Sequence, residues 1–257
     1  MKIPQQPGRL FLWRGAALVI SPGIDSSLHT HFALQLSYGL ERPFRARLNT
    51  EHDWTASRSA SFAPHDAHQI DSDGGMLAHL FLEMPEAVKL NGTDLQAEFG
   101  TQPEFQALVT SLLDNRHQSL DMAGALRIRQ TWQACALPQS LSSNSLDSRI
   151  LCALDAIAAS HGADCSGQSL ARRVHLSESR FTHLFRLQTG MSLSRYLLWS
   201  RMVEAVAAVA QGNNMTAAAH ASGFADLAHM SRTFRSMMGV APSELHRMAI
   251  AFKQDVI

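Results

Sequence analysis

The sequence predicts an α+β protein in which a β-rich N-terminal half is followed by an all-α C-terminal half. The chain has 257 residues, 46% of them hydrophobic and 17% charged, which is long enough for two domains with substantial cores. The spacing of its apolar residues changes from short runs to a helical period near residue 103. The charge is also divided, because residues 1–144 hold 11 basic and 14 acidic side chains (net −3) whereas residues 145–257 hold 11 and 8 (net +3). These observations predict two domains with different partners.

The N-terminal half consists of short predicted strands separated by turns. Its apolar or alternating runs are bounded by Pro, Gly and Asp residues, a pattern typical of a β-sandwich or a small barrel. The predicted strands include residues 11–13, 16–20, 32–38, 44–48 and 76–82.

Two helices and a linker are predicted after this β-region. Apolar side chains recur at helical spacing in two stretches: Phe105, Leu108, Leu112 and Leu113, then Met122, Leu126, Ile128 and Trp132. Such stripes would cover the β-domain or pair two subunits as a homodimer. The Ser-rich stretch that follows is polar and favours a linker. We therefore expect an N-terminal domain over residues 1–137, a linker over 138–148 and a C-terminal domain over 149–257.

Several classes of protein are disfavoured by the sequence. The chain has three cysteines and no C-x-x-C motif, so we expect free thiols in a reducing cytoplasm. The cysteines are Cys135, Cys152 and Cys165. The apolar run over residues 10–20 is interrupted by Arg14 and is too short for a membrane span. The chain contains no Ser-His-Asp order, no G-x-S-x-G and no phosphate-binding loop, so we do not expect an enzyme.

The C-terminal half contains two similar passages of the form helix, tight turn, helix, at about residues 166–188 and 214–237. Ser177 and Asp226 are predicted N-caps of the second helix in each passage, and they lie 49 positions apart. Helical spacing buries Phe181 and Phe185 in the first passage and Met230 and Phe234 in the second. It leaves a polar and basic outer face that comprises Ser179, Arg180, Thr182, His183 and Arg186 on one helix and Ala228, His229, Ser231, Arg232 and Arg235 on the other. A helix-turn-helix places its second helix in the major groove of DNA.

A single long helix is predicted between the two passages. Apolar residues from Leu193 to Ala210 mark a helix of about 19 residues, ~28 Å long. Successive major grooves on one face of a duplex lie ~34 Å apart. A rigid connection of this length would hold two recognition helices in adjacent grooves.

Residues 150–248 resemble the DNA-binding domain of the AraC/XylS transcription regulators. The match rests on ordered motifs, which are Ser177-x7-Phe185-Arg186, Thr189-Gly190-Met191-Ser192, Tyr196-Leu197, Arg201, Gly223-Phe224, Ser231-Arg232-Thr233-Phe234-Arg235 and Gly239-Val240-Ala241-Pro242-Ser243-Glu244. The resemblance implies that Ser179, Thr182, His183, Ala228, His229 and Arg232 approach bases, with Arg186 and Arg235 nearer the phosphates. It also implies double-stranded DNA, a small-molecule effector and RNA polymerase as partners, and activation more often than repression. One departure is His175, which stands at a turn position where the family usually has Gly, so we expect a left-handed backbone there.

The N-terminal half carries a second group of candidate site residues. His29-x-His31-x3-Gln35 would place both histidines on one face of a strand, and His68 and His79 follow later in the chain. The spacing resembles a cupin barrel, although Gln35 stands where cupin enzymes carry Glu. His29, His31, His68 and Gln35 are thus candidate ligands of a divalent metal. Three alternatives stay open: a metal-dependent cupin enzyme or metal sensor, a polar pocket for an organic effector, and histidines that only hydrogen-bond one another.

Overall fold

The computed structural model of the chain describes residues 8–13, 15–23, 25–83, 99–114, 120–137, 146–160 and 165–252. These residues form two compact units. The first unit draws on the ranges 1–83, 90–142 and 235–257, and the second draws mainly on 143–234. Of the helices in these described ranges, none has the length and apolar composition that a bilayer-spanning segment needs.

The first unit contains a six-stranded sheet in the order β6-β3-β8-β2-β1-β9. Its strands are β1 (Gly8–Trp13), β2 (Ala16–Pro22), β3 (Ala33–Gly39), β6 (Ser59–Phe62), β8 (Met76–Glu83) and the C-terminal β9 (Met248–Phe252). Strands β2 and β3 flank β8 and pair with it in antiparallel fashion. Every residue of β3 is buried, and so is every residue of β8 from Leu77 to Leu82, so both faces of these strands are covered.

A second sheet has three strands in the order β5-β4-β7. They are β4 (Phe44–Leu48), β5 (Thr55–Ser57) and β7 (His68–Asp71). An apolar cluster that includes Phe44, Phe62 and Ile70 packs beneath them. Neither sheet closes on itself among the described residues, because β6 and β9 are edges of one and β5 and β7 are edges of the other. The closed cupin barrel expected from the sequence is therefore not confirmed, whereas the sheet-rich N-terminal region is.

The two helices predicted after the β-region are present as α1 (Pro103–Asp114) and α2 (Met122–Ala136). Their aromatic side chains form a core with the first sheet, since the Phe105 ring centroid lies 5.3 Å from that of Trp132 and 4.9 Å from that of Tyr38. Phe105 and Trp132 are each 1% exposed. The chain thus covers these two side chains itself, whereas the other apolar residues of the two predicted stripes are half-buried apart from Ile128, which is buried: Leu108, Leu112, Leu113, Met122 and Leu126. The homodimer stays a prediction.

The second unit is helical, in agreement with the expected period. It contains α3 (Ser148–Ala159), α4 (Gly167–Arg173), α5 (Glu178–Thr189), α6 (Leu193–Ala210) and α7 (Met215–Ala221), and α8 (Leu227–Met238) follows. Phe181 and Phe185 are fully buried between α3, α4 and the start of α6. The α6 helix has 18 residues, close to the predicted 19. Of the predicted linker, residues 138–145 lie outside the described residues.

The C-terminal segment differs from the all-α expectation. A 3-10 helix over Pro242–Arg247 leads into a ninth strand, β9 (Met248–Phe252), which pairs in parallel with β1. The described residues from Arg235 to Phe252 accordingly belong to the first unit. Sequence spacing alone did not indicate this, because a five-residue strand is stabilised by the ladder it joins and not by its own periodicity.

Candidate nucleic-acid interface and histidine cluster

The first helix-turn-helix is held by local caps at each helix start. The Ser166 side chain accepts a hydrogen bond from the amide of Ser169 and forms a capping box at the start of α4. His175 has a φ of 55° in the turn, which confirms the left-handed backbone expected there. The Ser177 side chain then accepts from the amide of Arg180 and caps α5, as predicted.

The outer face of α5 carries the residues that the sequence assigned to it. Ser179, Arg180, His183 and Arg186 are exposed. Thr182 is half-buried, and its hydroxyl donates to the carbonyl of Glu178, 2.9 Å away, which occupies its proton. Positions 179, 182, 183 and 186 recur at helical spacing, so they form one continuous surface.

The second helix-turn-helix repeats this construction. The Asn214 side chain caps α7, Gly223 makes the turn with a φ of 76°, and Asp226 accepts from the amide of His229 at the start of α8. Ala228, Arg232 and Arg235 are exposed, while His229 and Ser231 are half-buried. The His229 ring packs edge-on against Phe224, with centroids 5.3 Å apart.

The arginines of both faces are available to an anion. None of Arg180, Arg186, Arg232 and Arg235 forms an ion pair with a carboxylate among the described residues. The two helices also end alike, because Gly190 and Gly239 each donate an amide to the carbonyl of the arginine four residues earlier, at 2.9 Å. Both glycines have a left-handed φ, which is typical of a helix C-terminus. Arg186 and Arg235 thus occupy equivalent last-turn positions, 49 residues apart.

The histidine cluster lies in the first unit. His29, His31 and His68 are at most 7% exposed, and one nitrogen from each lies within 4.8 Å of the others. The expectation that His29 and His31 share a strand face is wrong, because both precede β3 and only His29 forms a single bridge, to His68. The rings still converge, because that bridge brings His29 next to the start of β7. His79 lies on β8, as expected.

Backbone carbonyls fix the orientation of the three rings. The Nδ1 atoms of His29, His31 and His68 lie 2.8–2.9 Å from the carbonyl oxygens of Ser27, Ala33 and Asp66 respectively. A carbonyl only accepts, so each Nδ1 carries the proton. In the neutral rings the Nε2 atoms therefore hold lone pairs, which is the form in which imidazole binds a metal.

Gln35 connects these rings to a second pair of polar residues. Its Oε1 lies 2.7 Å from Nε2 of His31 and 3.1 Å from Nε2 of His68, while its Nε2 contacts Ser37 and His79. An amide oxygen cannot donate to two lone pairs. A half-turn of the amide satisfies the contact, because it directs the two N–H groups of Gln35 at the two rings. Sequence reasoning missed Ser37, although its position two residues after Gln35 on β3 indicated a shared face.

The cluster favours uncharged histidines. Burial is the main cause that lowers the pKa of His31 to about 4, that of His79 to about 4 and that of His68 to about 2. The neighbouring imidazoles act in the same direction, because each would repel a second positive charge. Burial also lowers the pKa of His29. The rings are thus neutral near pH 7 and able to accept a hydrogen bond or ligate a cation.

Comparison with known proteins gives matches to both regions. The helix-turn-helix domain family matches residues 170–248. The transcriptional activator RhrA of Rhizobium meliloti is 39% identical over 70 residues, which are 26% of this chain and 22% of that protein, so the match spans about a fifth of its length.

ToxT of Vibrio cholerae O395 has a similar fold, with a TM-score of 0.56 and 12% identity over 91% of this chain and 98% of that one. A structure of ToxT from strain SCE256 with a bound unsaturated fatty acid has a TM-score of 0.51 at 10% identity, covering 95% of this chain and 96% of that one. A helix-turn-helix domain therefore spans residues 170–248, within the region that resembles the DNA-binding domain of the AraC/XylS regulators.

Proposed function

We propose that this protein is a sequence-specific transcription regulator that reads two successive major grooves with α5 and α8. The observation that carries the proposal is the pair of matched helix faces, each with exposed arginines that form no ion pair within the part of the chain that the structure describes. Such side chains suit phosphate and guanine contacts. We assign base contacts to Ser179, Thr182, His183, Ala228, His229, Ser231 and Arg232, and phosphate contacts to Arg180, Arg186 and Arg235.

The test is the salt dependence of binding to a duplex that has first been selected from a random-sequence pool by its affinity for this protein. Each phosphate contact adds about one to the slope of log K against log[salt], so a flat line would refute the proposal. Arg232→Ala should relax the preference at one base pair by ~1–3 kcal/mol. Arg127→Ala is the matched control, because it removes one exposed positive charge from α2 outside the proposed interface. If both variants lost the same DNA affinity, Arg232 would contribute only its positive charge and would make no base contact.

We further propose that the N-terminal unit, which we regard as cupin-like, binds a small organic effector. Support comes from the fold that this chain shares with ToxT, one structure of which holds an unsaturated fatty acid. The buried polar group of His31, His68 and Gln35 would orient such a ligand within an apolar sheet. A thermal-shift screen of apolar carboxylates should raise the melting temperature of the wild type and not that of Gln35→Leu.

A divalent cation is the second candidate for this site. Two features favour it: the carbonyls hold the Nδ1 protons of the three imidazoles, and one nitrogen of each ring lies within 4.8 Å of the others. The amide oxygen of Gln35 offers a weak fourth ligand. The site would then act as a metal sensor, because the neutral amide of Gln35 stands where cupin enzymes carry a Glu. Metal content measured by mass spectrometry should be stoichiometric in the wild type and lost in His29→Ala/His31→Ala. If neither sample contains metal, the organic effector remains the proposed ligand of this site.

The remaining assignments complete the proposal. We propose that residues 1–137 and 149–257 encode the two domains, with the C-terminal strand β9 joining the sheet of the first unit. We also propose cytoplasmic action, a homodimer, contact with RNA polymerase and the absence of catalysis. Sedimentation equilibrium of the full chain tests the dimer, and limited proteolysis tests the linker at 138–148. Reproducible turnover of a small substrate by the purified protein would contradict the proposal that it has no catalytic activity.

A further inference from the structure

Residues far apart in the sequence meet at the end of the second recognition helix. The carbonyl of Gly239, the residue that ends α8, accepts hydrogen bonds from both the amide and the hydroxyl of Ser27, each at 2.9 Å. Gly239 is buried, and its φ of 69° is left-handed. All of these residues belong to the first compact unit.

The imidazole ring of His29 packs against the same glycine. A Cβ placed on Gly239 would lie 2.5 Å from Nδ1 of His29, so the ring packs directly against the glycine. The same Nδ1 donates to the carbonyl of Ser27, 2.9 Å away, and thereby fixes the residue that binds Gly239. Ser27 and His29 therefore hold Gly239 by two hydrogen bonds and a close packing contact.

Gly239 in turn sets the last turn of α8. Its amide donates to the carbonyl of Arg235 at 2.9 Å, so the position of Gly239 determines whether that turn stays helical. Helix ends fray when their last carbonyls lack partners. Downstream, β9 pairs with β1 over five residue pairs and anchors the other side of the segment.

We infer that Ser27 and His29 are positioning residues for DNA recognition, which hold Arg235 in its phosphate-binding geometry through Gly239. The inference rests on the proposed function for its DNA readout. Ordering the last turn before DNA arrives removes an entropic cost from binding. Arg186 has the same place in α5 and serves as the internal comparison.

A double-mutant cycle tests this role on a 30-bp duplex of random sequence, with the full-length protein. His29→Ala should weaken binding about three- to tenfold, the range that one to two hydrogen bonds supply. The loss should vanish in an Arg235→Gln background and persist in full in an Arg186→Gln background, because only coupled residues are non-additive. A merely structural role would weaken both backgrounds equally, and that result would overturn the inference.

Two further variants guard against misfolding. Ser27→Ala removes only the hydroxyl donor and should give a smaller loss with the same dependence on Arg235. Gly239→Ala places a Cβ on a left-handed backbone with a φ of 69° and also brings that Cβ into a clash with His29. Gly212→Ala strains the backbone at a φ of 93°, but no atom lies within 4 Å of the new Cβ. Equal effects of the two glycine substitutions on DNA binding would overturn the inference.

Hydrogen exchange separates this inference from the proposed function. In His29→Ala the amide of Gly239 should exchange at least threefold faster than in the wild type, a result that needs no DNA. If the wild type fails to bind DNA, the proposed function is wrong and exchange still decides whether His29 positions Gly239. If the wild type binds DNA and neither exchange nor affinity responds to His29→Ala, the positioning role is wrong and the proposed function stands.

Discussion

Acid should destabilise the first unit well before its carboxylates are protonated. His31 and His79 are buried and neutral in the folded protein, where burial lowers each pKa to about 4 from 6.5. Below pH 6.5 the unfolded chain therefore binds protons that the folded chain does not. A group with a depressed folded pKa stabilises the fold above its unfolded pKa and loses that contribution as the pH falls towards its folded value.

The magnitude follows from the two pKa values of each group. Between pH 7 and pH 5 each of these histidines should cost about 2 kcal/mol of unfolding free energy, so the pair costs about 4 kcal/mol. His68, with a pKa lowered to about 2, adds to the loss in the same window. Since domains are stable by only about 5–15 kcal/mol, the first unit should approach its unfolding midpoint near pH 5.

Urea unfolding at pH 7, 6 and 5 measures this loss. Fluorescence in a Trp54→Phe/Trp199→Phe background reports on Trp13 and Trp132, which are both buried in the first unit. EDTA in every sample removes any cation that would hold the rings neutral. His79→Gln should reduce the pH dependence by about 2 kcal/mol. A change below about 1 kcal/mol in the wild type from pH 7 to pH 5 would show that the cluster is protonated or solvated in the folded state.

Three other substitutions give separate tests. Phe185→Ala should destabilise the second unit by about 3–5 kcal/mol, because the ring is fully buried between α3, α4 and α6, and an unchanged far-ultraviolet melting curve would contradict this packing. Gln35→Glu should raise Zn²⁺ affinity at least tenfold by calorimetry, since a carboxylate is the stronger ligand, and equal affinities would place the cation elsewhere. His175→Gly should stabilise the protein by about 0.5–1 kcal/mol in urea, because it relieves a φ of 55°, and a loss of stability would mean that the His175 side chain contributes more than its strain costs.

The helices of the C-terminal half were predictable from the sequence, whereas the strand β9 that follows them was not. The caps Ser177 and Asp226, the buried Phe181 and Phe185 and the left-handed His175 all follow from rules that act within about four residues. The exposed faces of α5 and α8 follow from the same spacing.

The sequence predicted which residues form the N-terminal site, but it did not predict how they are arranged. The histidine spacing named His29, His31, His68 and Gln35, yet the first two lie outside any strand and depend on the bridge to His68 for their position. Likewise, the apolar stripes of α1 and α2 could not reveal whether they faced a sheet or a second subunit. That choice depends on Tyr38 and Phe105, which are 67 positions apart.

The sequence by itself determined the helices, their caps and the basic faces, because the forces that specify them join residues a few positions apart. Only the tertiary structure decided that β9 joins β1, that Gln35 bridges two imidazoles, and that Ser27 and His29 hold the end of α8. The separation between Ser27 and Gly239 is 212 residues. Contacts at that range are stabilised by the packing of the whole unit, and no local period or cap carries them.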